Sequence, residues 1–186
     1  MTENKLFERI DFTLIHLPKD EYENCKFVNC NFYSADLLNV TFRECIFDCC
    51  DFSLASLKNT ALNDIYFIGC KLVGVQFEEC NPFLFSVNFE NCVLKLAVFF
   101  KMKLKKTCFV NCNLQETDFS ESDMTSAVFD NCDLQRAIFY KTILEKADLR
   151  TSYHYSIDPE VNRIKKARFS RTGISGLLDK YNIEIE

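Results

Sequence analysis

Eleven cysteines and two histidines hold most of the chemistry open to this sequence. Converging thiolates can bind zinc, paired thiols can form a disulfide, and a cysteine beside a histidine can act as a nucleophile. Spacing decides among these. Cys30, Cys50 and Cys70 stand twenty residues apart, and so do Cys92, Cys112 and Cys132. Thiols on neighbouring strands lie about 4.8 Å apart, too widely for a tetrahedral site with Zn–S near 2.3 Å. No C-x-x-C pair occurs, and His16 and His154 sit near opposite ends of the chain. No Ser/His/Asp set can be assembled from them, and there is no glycine-rich phosphate loop. The expectation is a non-enzyme with no catalytic, cofactor-binding or metal-ligating residues. Cys25, Cys30, Cys45, Cys50, Cys70, Cys92, Cys112 and Cys132 are expected to pack as small apolar residues. Cys49, Cys80 and Cys108 fall at outward or corner positions, where thiols meet reagents.

The elements that position these residues follow a five-residue rule. Every fifth residue from Phe12 to Phe77, and again from Leu84 to Leu149, is large and apolar or aromatic. The residue two places earlier is small or modest in size, as at Cys25, Ala35, Val40, Thr117 and Ala147. Alternate residues of an extended segment share a face, so both sets point inward. A period of five fits neither a helix nor a continuous strand. It requires short extended segments joined by regular corners. FVNCNF begins at Phe27, FDCCDF at Phe47 and FIGCKL at Phe67, while FENCVL, FVNCNL and FDNCDL begin at Phe89, Phe109 and Phe129. Four pentapeptides therefore make one turn of a β-solenoid, with roughly seven coils stacked over about 35 Å. Phe27 and Phe109 are 82 residues apart, two more than four turns. The extra pair is expected near residues 78–83, where Pro82 suits a corner.

Ala35-Asp36-Leu37 and Ala147-Asp148-Leu149 match the motif A-(D/N)-L-x-x. On these residues the sequence resembles the pentapeptide repeat proteins, over about residues 8–152. Its Cys-x-Phe/Leu variant, and the tail segment Ile157 to Asn162, are similar to the Qnr-type quinolone-resistance and microcin-immunity subgroup. The resemblance implies an all-β fold, a four-sided right-handed parallel β-helix with a short C-terminal helix and strand. The rod would span 1–157 and a capping segment 158–186. It also implies a non-catalytic DNA mimic that binds DNA gyrase or topoisomerase IV and protects it from a quinolone or a peptide toxin. A protein-interaction rod with no topoisomerase role is the other reading, because one fold serves many functions.

Composition bears on the partner. The net charge of −5 argues against a nucleic-acid groove, which needs clustered bases. Residues 1–12 are charged and no apolar run could cross a bilayer, so a cytoplasmic protein without membrane contact is expected. On a filled rod, contacts must come from outward residues. The candidates are Asp11, Asp36, Asp51, Glu116, Asp118, Glu121, Asp123, Asp130 and Asp133, the last six of them just after a basic run at Lys101, Lys103, Lys105 and Lys106. Val93, Leu96, Val98 and Phe100, with Phe83 and Phe85, make an outward apolar group. In the tail, a helix from Ser170 or Thr172 to about Lys180 would present Ile174, Leu177, Leu178 and Tyr181. A final strand would add Ile183 and Ile185. Together these form a candidate homodimer interface, the end through which the resembled subgroup dimerises.

Overall fold

The computed structural model describes residues 1–184. Extended backbone runs for two to four residues at a time and then turns. Most turns are made by the residue two places after an inward rung, whose φ lies in the left-handed region. Asparagine tolerates that region better than most residues. It occupies the corner at Asn24, Asn29, Asn39, Asn59, Asn91, Asn111 and Asn131, so four glycines suffice for the whole chain. Corner asparagines also stack: Asn131 donates to Asn111 at 2.8 Å and Asn111 to Asn91 at 3.2 Å.

Two parallel sheets result. One contains β1 (Thr2–Glu3), β3 (Glu21–Glu23), β5 (Thr41–Arg43) and β7 (Ala61–Asn63). The other contains β2 (Leu6–Glu8), β4 (Lys26–Val28), β6 (Ile46–Asp48), β8 (Ile65–Ile68), β9 (Val87–Glu90), β10 (Cys108–Val110) and β11 (Val128–Asp130). Single bridges link two further columns, one through Asp11, Asn31, Asp51 and Lys71, the other through Gln76, Val98, Asp118 and Ile138. The fold is an all-β parallel solenoid with four five-residue segments in each coil. Among the described residues no helix is long and apolar enough to cross a membrane.

The interior is built from stacked rings. Phe7, Phe27, Phe47, Phe67, Phe89, Phe109 and Phe129 lie one above another, with centroids 4.6 to 5.3 Å apart. Each buried ring contributes about 2–3 kcal/mol by leaving water. Beside them, the thiols of Cys30, Cys50, Cys70, Cys92, Cys112 and Cys132 donate to carbonyls of the preceding coil at 3.3 to 3.7 Å. Thr60, Thr117 and Thr142 make the same bond with a hydroxyl, at 2.8 to 2.9 Å. Cysteine here packs and bridges coils.

Pairing steps by twenty residues until β8 meets β9, where Phe67 pairs with Phe89. The additional residues lie between Cys80 and Val87. Leu84, the expected first rung of the second series, is instead 59% exposed with φ +56°, and Phe85 packs inward against Phe77. Cys80 is buried, and burial pushes its thiol up. Its expected corner position is corrected because the insertion follows Cys80 and leaves it in register with Thr60.

Bridges from Arg163 to Ile143 and from Arg168 to Asp148 carry the coil geometry past Tyr153. The expected tail helix is absent: Ile174–Leu177 and Asp179–Tyr181 are single 3₁₀ turns. Gly176 presses on the Tyr155 carbonyl and Gly173 on its ring, so closely that any Cβ would collide. Two glycines weaken a helix in this stretch, and Asn182 ends the second turn in the left-handed region. No strand is formed at Ile183 among the described residues, and Ile185 lies outside them.

Candidate interaction surface

A packed interior leaves the outside of the coils to do chemistry. Six of the nine acidic candidates have a local task. The carboxylates of Asp11, Asp36, Asp51, Asp118, Asp123 and Asp133 each accept the backbone N–H two residues on, at 2.8 to 3.1 Å. These Asx turns shape the corners. The Thr13 hydroxyl and N–H hold the Asp11 carboxyl below its usual range. Burial alone would raise Asp133, but hydrogen bonds from Gln115, His154 and the Gln135 N–H outweigh it and hold it low.

The nine acids are not gathered on one side. Asp11, Asp51 and Asp133 share one column, Asp36 and Asp118 stand on a second, Asp123 on a third, and Asp130 on β11. Several are neutralised by the preceding coil. Lys95 pairs with Glu116 at 3.2 Å, Lys101 with Glu121 at 3.5 Å and Lys105 with Asp123 at 3.2 Å. The basic run therefore sits directly on the acidic run that follows it.

One pairing has no signal in the repeat: His154 Nδ1 lies 3.0 Å from Asp133 Oδ1. His154 lines a depression of about 410 Å³ that includes Ser152, Ser170, Thr172 and Ser175. The nearby hydroxyls are otherwise engaged. Ser152 donates to the Phe129 carbonyl at 2.9 Å, and Ser170 accepts the Gly173 N–H at 2.9 Å. Among the described residues no serine hydroxyl bonds to the histidine, so this is a histidine–carboxylate contact at the end of the rod and not a nucleophile with its base.

The apolar group divides. Phe83 is 74% exposed and Leu96 is exposed, while Val93, Val98 and Phe100 are half-buried and Phe85 joins the core.

Family models match both halves of the rod: "Pentapeptide repeats (8 copies)" over residues 25–64 and "Pentapeptide repeat region" over 83–153. The chain belongs to the pentapeptide repeat family. The unmatched stretch between the two segments ends where the extra residues enter. No curated protein matches this pentapeptide repeat protein by sequence. Among solved structures, two trypsin-treated variants of QnrB1, a plasmid-mediated fluoroquinolone resistance protein, superpose with a TM-score of 0.50. Identity is 21% and 22%, and each match covers 100% of this chain and 99% of the other. At that identity the likeness is one of fold. It extends through the tail of the pentapeptide repeat protein, where Ile174, Tyr181 and Ile183 are exposed and Leu177 packs on the core. Lys180 ties the tail down through Asp158 at 2.7 Å and Glu160 at 2.6 Å.

Proposed function

We propose that this pentapeptide repeat protein is a non-catalytic binding rod for a type II topoisomerase, DNA gyrase or topoisomerase IV. Bound, it shields the enzyme from a quinolone or a peptide toxin. The observation that carries this reading is the end-to-end match with a fluoroquinolone resistance protein, tail included. The chemistry available is anionic. Asp36, Asp51 and Asp118 each commit one oxygen to a corner and have no ion-pair partner among the described residues. Carboxylates on a stiff rod can enter a saddle built for phosphates, drawn in by the steering that draws DNA. Dimerisation through Ile174, Leu177, Leu178, Tyr181, Ile183 and Ile185 would double the rod's length. The rod itself contacts no nucleic acid in this scheme, and acts in the cytoplasm.

A second reading is an interaction rod with no topoisomerase role. The dispersal of the acids over four columns, and the ion pairs that absorb Glu116, Glu121 and Asp123, favour it. Binding to immobilised gyrase separates the two. The topoisomerase reading expects salt-sensitive binding that weakens at least tenfold when Asp36, Asp51 and Asp118 all become Asn. Absence of binding at low salt supports the second reading.

A further inference from the structure

The column containing Tyr22, Phe42 and Leu62 changes character along the rod. Before the insertion its outside is acidic, with Glu21, Glu23, Glu44 and Asp64 against one base, Arg43, which pairs with Glu21 at 2.9 Å. The insertion then presents Pro82, Phe83 and Leu84 to solvent. Beyond it the same column is net basic: Asp123 and Glu145 are paired by Lys105 and Arg163, and Lys103, Lys106, Lys146, Lys165 and Lys166 are exposed. Elsewhere on the rod many unlike charges pair between adjacent coils. Here Glu23, Glu44 and Asp64 on one side of the insertion, and those five lysines on the other, form no ion pair among the described residues.

We propose that this side of the rod docks a second copy of the chain, antiparallel, about a two-fold axis through the insertion. Such an axis brings the coil n steps before the insertion onto the coil n steps after it in the partner. One coil out, Asp64 meets Lys103 and Lys106. Two coils out the level is mixed: Arg43 and Glu44 both face Asp123, and Arg43 and Asp123 already pair with Glu21 and Lys105. Three coils out, Glu21 and Glu23 meet Lys146, and four coils out Glu3 meets Lys165 and Lys166. Unlike charges oppose one another one, three and four coils out, at steps of about 4.8 Å, with Glu145 beside Lys146 already paired to Arg163. On the axis, apolar meets apolar. Phe83 lies beside a cavity of about 190 Å³, lined by Pro82, Phe85, Phe100 and Met102, that it does not itself occupy. Glu78 lines the same cavity with one carboxylate oxygen buried and unpartnered. An aromatic anchor beside an open apolar cavity, ringed by complementary charge, is the pattern of a protein interface. The surface is separate from the tail and does not depend on the topoisomerase reading.

The test is the mass of the full chain by sedimentation equilibrium, in a background of Ile174→Asp and Ile183→Asp that removes the exposed tail contacts. Self-association should persist there and weaken as salt rises from low to 0.5 M, since exposed charges are screened. Phe83→Ser, Asp64→Lys or Lys103→Glu should each raise the dissociation constant at least tenfold. The exchange Asp64→Lys with Lys103→Glu should restore it to within about threefold, because opposed partners have swapped signs. All these residues are exposed or at a corner, and unchanged thermal melts certify the fold. A monomer in the tail-variant background, indifference to Lys103→Glu, or failure of the exchange to restore association overturns the proposal.

Discussion

Cys50 and Thr117 perform one task with different atoms: each donates to the carbonyl of the preceding coil, of Phe27 and Leu94 respectively. That equivalence explains why a thiol-rich chain needs neither metal nor disulfide to account for its cysteines. Burial pushes the Cys45 thiol up to about 11, well above thiolate chemistry at neutral pH. Maleimide labelling of the native protein, read by mass spectrometry, should modify Cys108 and Cys49 and spare Cys80 and the eight inward thiols. Cys49 should react slowly, because the Asp48 carboxylate beside it holds its thiol up. Most inward residues were legible because a five-residue count is local. Cys80 was not. The count fixes how many residues are inserted but not on which side of Cys80 they enter, and that depends on which side chain fills the core. Phe85 wins the place from Leu84.

Among the elements, strands of two to four residues survive because each is clamped between copies of itself. Isolated, none would persist. A change at one rung therefore acts through its stack. Phe109→Ala removes a ring packed between Phe89 and Phe129 and should cost about 3–5 kcal/mol, read from urea unfolding. Leu84→Ala, at the exposed corner, should cost under about 0.5 kcal/mol. Equal losses at the two sites would contradict the assignment of the insertion. The tail was the least legible element. Its apolar spacing reads as a helix, but Gly173 and Gly176 are placed by Tyr155, a contact that no periodicity reveals.

For the whole molecule, sequence neighbours become scattered. The acids between Thr107 and Leu134 look like a block, yet five residues carry the chain to the next column, so the block winds around more than one coil and meets the lysines of the coil before. Oligomeric state is decided at this scale. If the tail joins two copies, Ile174→Asp with Ile183→Asp should lower the light-scattering mass; an unchanged mass would place self-association elsewhere. The central claim is tested most directly by purified gyrase with plasmid and a fluoroquinolone, scoring cleaved DNA and supercoiling as this protein is added. Protection predicts less drug-induced cleavage and recovered supercoiling at protein concentrations near that of gyrase. Undiminished cleavage, with no effect on supercoiling at a large excess of protein, would contradict it.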